Sequence, residues 1–279
     1  FRSINGGGAG LVTYDTATGV RMLTADEVTN AVAADRNVRL AGGDSVGSST
    51  TVRSLQMAGA GGTLNIASNA TLKVDGGAMF VGGAPSTISG GSLTFGLVTT
   101  ATNQNLSTRT DRIGYIHAAT NLTIDTAIVN DGANAVAITY NGPGVVTVQE
   151  RGTYTGNTFL NGGATLRTEG SEVLPDGAGF FLDDAGTVVI GNGATETLGG
   201  IRGYGNTRVF VGTNSPLRVN TASGSQDFFG SLEGPGTSTL IKSGGNPWSI
   251  RHTASFSGSN VVIAGGPLGP IAQFGTLVN

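Results

Sequence analysis

The carboxylates are the side chains of this sequence best suited to chemistry, and they are thinly spread. Two of them flanking a glycosidic bond could serve as general acid and base, yet outside residues 24–35 the only adjacent acidic pair is Asp183-Asp184. Neighbouring side chains on a strand face opposite ways, so this pair reads as a turn between strands. His117 follows Tyr115-Ile116 and His252 follows Arg251, and neither lies in a metal-binding or nucleophile motif by local spacing. Serine and threonine are plentiful, but a hydroxyl nucleophile needs an adjacent base, and two isolated histidines offer little. Cysteine is absent, which removes thiolate chemistry, thiolate metal sites and a disulfide framework. The sequence therefore leads us to expect no catalytic, cofactor-binding or metal-ligating residue and no enzyme.

Binding motifs are equally fragmentary. Gly42-Gly43-Asp44 and Asp75-Gly76-Gly77 keep pieces of a calcium-binding Gly-Gly-x-Gly-x-Asp turn without its repeat. The run Gly6-Gly7-Gly8-Ala9-Gly10 lacks the Lys-Ser/Thr ending of a phosphate loop and reads as a flexible lead-in or an assembly strand. A net charge of −3, with Lys73 and Lys242 the only lysines, gives no basic surface for nucleic acid. No stretch approaches the roughly 18 consecutive apolar residues of a membrane span, so direct membrane insertion is not expected. The sequence starts at Phe1, without an initiator methionine, and reads as a processed or excised piece with no signal peptide left to interpret.

The elements that would carry these residues are short strands. Strict alternation in Thr63-Leu64-Asn65-Ile66, Thr71-Leu72-Lys73-Val74, Ser92-Leu93-Thr94-Phe95 and Asn121-Leu122-Thr123-Ile124 sends the apolar residue of each pair into one core. Val146 with Val148, Val209 with Val211 and Leu217 with Val219 follow the same rule, which leaves Phe210 as an apolar misfit facing outward. Gly-Gly, Asn-Gly and Asp-Gly steps between the strands supply the positive φ of sharp corners. With 48 glycines and 12% charged residues among 279, the chain is turn-rich but still holds a core. Two-residue hairpin spacing between matched strands is nearly absent, which favours a right-handed parallel β-helix over the alternative, a β-sandwich of hairpins.

A coil of about 20 to 25 residues would give about 11 to 14 coils, and strand spacing of about 4.8 Å would make a rod of roughly 55 to 65 Å. We expect a single elongated domain over residues 1–279, with 1–40 as lead-in and cap and 120–268 as the clearest repeat region. Within the cap, Thr24 and Glu27 have capping-box spacing and Val28, Ala31 and Val32 form an i, i+3, i+4 stripe, which predicts a short helix over residues 24–35 covering the first coil. Residues 99–112 lack alternation and read as a loop projecting from the coils.

The repeats themselves are visible. Gly142-Pro143-Gly144-Val145-Val146-Thr147-Val148 leads to Thr153-Tyr154-Thr155-Gly156-Asn157-Thr158 and Asn161-Gly162-Gly163-Ala164-Thr165-Leu166. A second copy runs through Gly234-Pro235-Gly236-Thr237, Ser255-Phe256-Ser257-Gly258 and Ala264-Gly265-Gly266, and Leu198-Gly199-Gly200-Ile201-Arg202-Gly203 looks like a variant of the linking turn. These runs resemble the autotransporter-associated β-strand repeat of bacterial passenger domains. The resemblance implies a right-handed β-helix at the cell surface or in the extracellular space, used as stalk, adhesin or matrix element. The membrane β-barrel usual in such proteins has no counterpart in this sequence.

Two sets of residues follow as interaction candidates. Trp248, beside Gly244-Gly245-Asn246-Pro247, is the best candidate for a surface contact, such as stacking on a glycan. Gly6, Gly7 and Gly8 at one end and Thr276, Leu277 and Val278 at the other could extend a neighbour's sheet, giving end-to-end or lateral self-association into a fibre. The competing readings are a carbohydrate-active or glycan-binding β-helix protein and, more weakly, a trimeric phage or virus fibre.

Overall fold

Period-two alternation becomes strand across most of the chain. The computed structural model describes residues 11–15, 19–98, 112–221, 226–251, 254–256 and 260–263. The protein is all-β, with 59% strand and parallel coils stacked into a β-solenoid of about nine turns. That is fewer turns than the expected 11 to 14, because the first residues form a hairpin and one coil is much longer than the rest. The chain falls into two compact units, Phe1–Gly144 and Val145–Asn279.

The first unit opens with an antiparallel hairpin, Val12–Asp15 against Gly19–Met22. Residues 24–35 do not form the predicted helix. Only a three-residue 3-10 turn, Ala25–Glu27, is present, and Val28–Thr29 is already strand. The capping box does form, with Glu27 accepting from the Thr24 N–H and hydroxyl at 2.8 Å each, but the same carboxylate is also gripped by Arg21. Beyond it, β-branched Val28 and Thr29 pair in parallel with Asn37 and Val38, and that pairing overrides a weak helical stripe. Long strands follow, Thr50–Gly59, Gly62–Gly83 and Ser86–Phe95, in parallel register.

Stacked rows of like side chains make the core of this unit. Val38, Leu55, Met79, Ile116 and Tyr140 align through four successive pairings, and each is fully buried. All eight core residues expected from the four alternating segments are buried, from Leu64 to Ile124. Burying a side chain of this size stabilises the fold by about 1.5–3 kcal/mol. One coil is extended: Ala78 pairs with Tyr115, 37 residues on, whereas Arg112 pairs with Val136, 24 residues on. The extra length leaves after Leu97–Val98 and returns at Arg112, where Leu97 and Val98 pair antiparallel with Ile113 and Arg112. Arg112 is thus strand; the rest of the expected projecting loop, 99–111, lies outside the described residues.

The second unit is more regular and has three walls. Its first wall stacks Val145–Val148, Thr165–Thr168, Thr187–Ile190, Arg208–Val211, Ser231–Gly234 and Ala254–Phe256. Its second stacks Thr158–Asn161, Phe180–Leu182, Ile201–Gly203, Gln226–Phe228 and Trp248–Ile250. The third begins only at Glu196–Leu198 and continues through Pro216–Asn220, Thr239–Ser243 and Asn260–Ile263. Pairs such as Thr165 with Thr187 and Thr187 with Arg208, 22 and 21 residues apart, match the expected coil length. Every pairing within these walls is parallel, which excludes the β-sandwich of hairpins.

Val146, Leu166, Val188, Val209 and Leu232 form the inner row of the first wall, all buried. The second wall carries Leu160, Leu182, Gly203, Phe228 and Ile250 inward. Gly203 breaks this apolar row for a steric reason: a Cβ there would sit 2.8 Å from the Phe228 ring, which fills the space of two levels.

Candidate functional site

The third wall of the second unit gathers the acidic side chains with the most unusual surroundings. In Glu196-Thr197-Leu198 the alternation turns Glu196 inward with Leu198, and Glu196 is fully buried. Before this strand the wall is irregular, so the N–H groups of Val173 and Leu174 lack strand partners. They donate instead to the Glu196 carboxyl, at 3.3 and 3.0 Å. Burial pushes the Glu196 pKa up to about 8, against the lowering by these N–H groups and helped by the negative charge of Glu172 and Asp176. Glu172, held at φ 54°, reaches across the same step to accept from the Thr197 N–H and hydroxyl at 3.0 Å each.

A groove of about 590 Å³ opens where the third wall has not yet formed, lined by residues 151–155 and 175–178 of successive coils. Arg151 and Asp176 face each other across it at 3.4 Å, both well exposed, while Asp176 Oδ1 is buried without a hydrogen-bond partner. The Tyr154 ring forms the floor, buried, with its hydroxyl 2.7 Å from Thr158 Oγ1. In the first unit a smaller, polar groove of about 340 Å³ lies among Asp26, Glu27, Asp35, Arg36, Asn37 and Arg53.

An ionised Asp176 and a protonated Glu196 are the two halves of an acid–base pair by charge state. Their placement separates them: Glu196 points into the core with its oxygens on backbone N–H groups, out of reach of anything in the groove. These groups hold one coil to the next. Lys242 is likewise buried, with its ammonium on the Ser243 and Gly244 carbonyls at 2.7 and 3.0 Å, and burial lowers its pKa.

The residues singled out by sequence fare unequally. Trp248 is not a surface contact: it is fully buried in the second wall, and its indole N–H donates to the Ile201 carbonyl at 3.0 Å. The Gly-Asn-Pro turn before it misleads, because the strand starts at Trp248 itself and the alternation sends the ring inward. Gly6, Gly7, Gly8, Thr276, Leu277 and Val278 lie outside the described residues, as does His252. Asp183-Asp184 is the expected turn, with Asp184 at φ 46° and its N–H on Asp183 Oδ1 at 2.9 Å.

His117 stacks on Phe80 at 5.5 Å between ring centres, with Nδ1 2.8 Å from Asn141 Oδ1. Desolvation lowers its pKa, against that hydrogen bond. Asp44 receives the Val32 and Ser45 N–H groups at 2.7 and 2.8 Å, and Asp75 pairs with Lys73 at 3.2 Å. Among the described residues no three His, Cys, Asp or Glu side chains are grouped to hold a metal, and no helix is long and apolar enough to cross a membrane.

Sequence reasoning missed the inward Glu196, although the alternation of Glu196 with Leu198 carries the signal. It also missed an outer row of the second wall in which Phe159 and Phe181 stack at 5.0 Å and the Arg202 guanidinium lies 5.7 Å from the Phe181 ring. The outward misfit Phe210 is explained the same way, half-buried with Arg208 at 5.8 Å over its ring. No family model matches the chain, and neither a curated protein nor a solved structure is significantly similar to it.

Proposed function

We propose that this chain is a non-enzymatic structural segment of an extracellular or bacterial cell-surface protein, a β-solenoid that spaces or presents other parts as a stalk or adhesin backbone. One observation carries the reading: the acidic groups with unusual environments are used to join coils. Glu196 ties Val173 and Leu174, Glu172 ties Thr197, and Asp176 faces Arg151, each across one coil step. Stiffness then follows from stacked apolar rows and a continuous ladder of backbone hydrogen bonds. The surface placement rests on the resemblance of the repeats to passenger domains and on the low charge.

Negative-stain electron microscopy over a concentration series tests this. Elongated single particles of constant length are the expected result. Filaments that lengthen with concentration would convert the stalk into a fibre subunit, and compact particles would overturn both. The rival, a carbohydrate-active enzyme, would displace the proposal if the protein released product from a polysaccharide and Asp176→Asn abolished the release.

A further inference from the structure

The outer surface of the second wall is unlike the other walls. Two adjacent outward rows run from coil to coil. In the first, Phe159 pairs with Phe181 and Phe181 with Arg202, and the next level is Asp227. In the second, Asp183, Tyr204, Phe229 and Arg251 follow one another, since the Asp183, Phe229 and Arg251 N–H groups each bond the carbonyl one coil back, at Leu160, Gly203 and Phe228. Tyr204 and Phe229 are among the few large apolar side chains that solvent reaches, at 58% and 39% exposure. Arg251 and Asp227 pair at 3.1 Å at the far end of the patch.

We infer that this face binds a linear, uncharged polysaccharide lying along the coil-stacking direction. The chemistry of the patch chooses that occupant. Sugar rings offer apolar C–H faces to aromatic rings and hydroxyl groups to planar polar side chains, and the two rows alternate these features level by level. The rows carry two carboxylates, Asp183 and Asp227, and two guanidinium groups, Arg202 and Arg251, so they attract neither a polyanion nor a polycation. A peptide adding as a strand needs an unpaired edge, whereas Phe180–Leu182, Ile201–Gly203 and Gln226–Phe228 each have strand partners on both sides. Successive levels are about 4.8 Å apart, so an extended polymer meets a new aromatic or polar group at each coil. This inference goes beyond the stalk reading, which particle shape tests separately.

The test is native affinity electrophoresis of the full chain in gels containing hydroxyethylcellulose, mannan or dextran, with polygalacturonate and duplex DNA as charged comparators. Retardation by at least one neutral polymer is expected. Tyr204→Ala and Phe229→Ala should each weaken it by about tenfold, while Tyr204→Phe should retain most of it. Both side chains are exposed, and unchanged circular-dichroism melting would confirm that the variants fold. Absence of retardation by all three neutral polymers, retardation by the charged polymers alone, or binding indifferent to both alanine variants would each overturn the inference.

Discussion

The two units solve one packing problem with different economies. In Phe1–Gly144 the strands are long, up to the 22 residues of Gly62–Gly83, which bends through a register shift between Ile66 and Thr71. In Val145–Asn279 no strand exceeds five residues, and corners recur at nearly constant spacing. The first unit relies on continuous backbone ladders and an aromatic–imidazole stack at Phe80 and His117. The second closes its walls with side chains, above all Glu196 and Glu172. The difference teaches that a solenoid can leave a wall unfinished provided buried polar side chains take over the backbone's hydrogen bonds.

Cutting the second unit's largest core side chain is the strongest way to probe this division. Trp248→Ala should destabilise that unit by about 3–5 kcal/mol, and the Ile201 carbonyl would lose its donor. If the units melt separately, differential scanning calorimetry should show one transition moving down while the other stays. Both moving together would break the comparison.

Titration should sharpen it, because the two units are expected to respond to pH with opposite sign. Glu196 has a folded pKa of about 8, raised from 4.5, so its protonated form is favoured by folding. Its contribution is full below the ordinary carboxylate range and is lost as pH rises through about 8. For His117 the folded pKa is lowered by burial, so the first unit should weaken as pH falls below the usual histidine range. Urea melts between pH 5 and 9 would show the slopes. Glu196→Gln should flatten the second unit's slope and stabilise it at pH 8 by on the order of 1 kcal/mol or more, and an unchanged slope would remove Glu196 from the account.

Two smaller effects complete the series. Thr168 lies fully buried in the inner row of the first wall with its hydroxyl unpartnered, so Thr168→Val should raise stability by about 1 kcal/mol in chemical denaturation. Arg151→Ala removes a 3.4 Å ion pair between exposed side chains and should change stability by less than about 0.5 kcal/mol.

Much of the fold is legible in residue order because period two is a local signal. Leu64, Ile66, Leu72 and Val74 alternate and are buried, and the scarcity of hairpin spacing correctly anticipates parallel pairing. Local signals also mislead: Thr24 and Glu27 make their capping box, but long-range pairing of Val28 with Asn37 ends the helix at one turn. The groove and the outer rows are harder to see. Phe159, Phe181, Arg202, Tyr204 and Phe229 lie tens of residues apart, and only the true coil spacing, which varies from 20 residues between Val145 and Thr165 to 25 between Gly203 and Phe228, brings them side by side.

The long coil of the first unit has a consequence for what the scaffold can carry. Met79 still pairs with Ile116 and Leu64 with Ile88 and Ile124 around it, so the stack keeps its register on both sides of a 37-residue step. Leu97–Val98 and Arg112–Ile113 clasp the departing and returning chain as a hinge pair. Lengthening a closed loop costs only about 0.6 kcal/mol per doubling. This coil is therefore a natural port for foreign cargo: an epitope or a small domain grafted beyond Val98 would be displayed without the ladder registering its length.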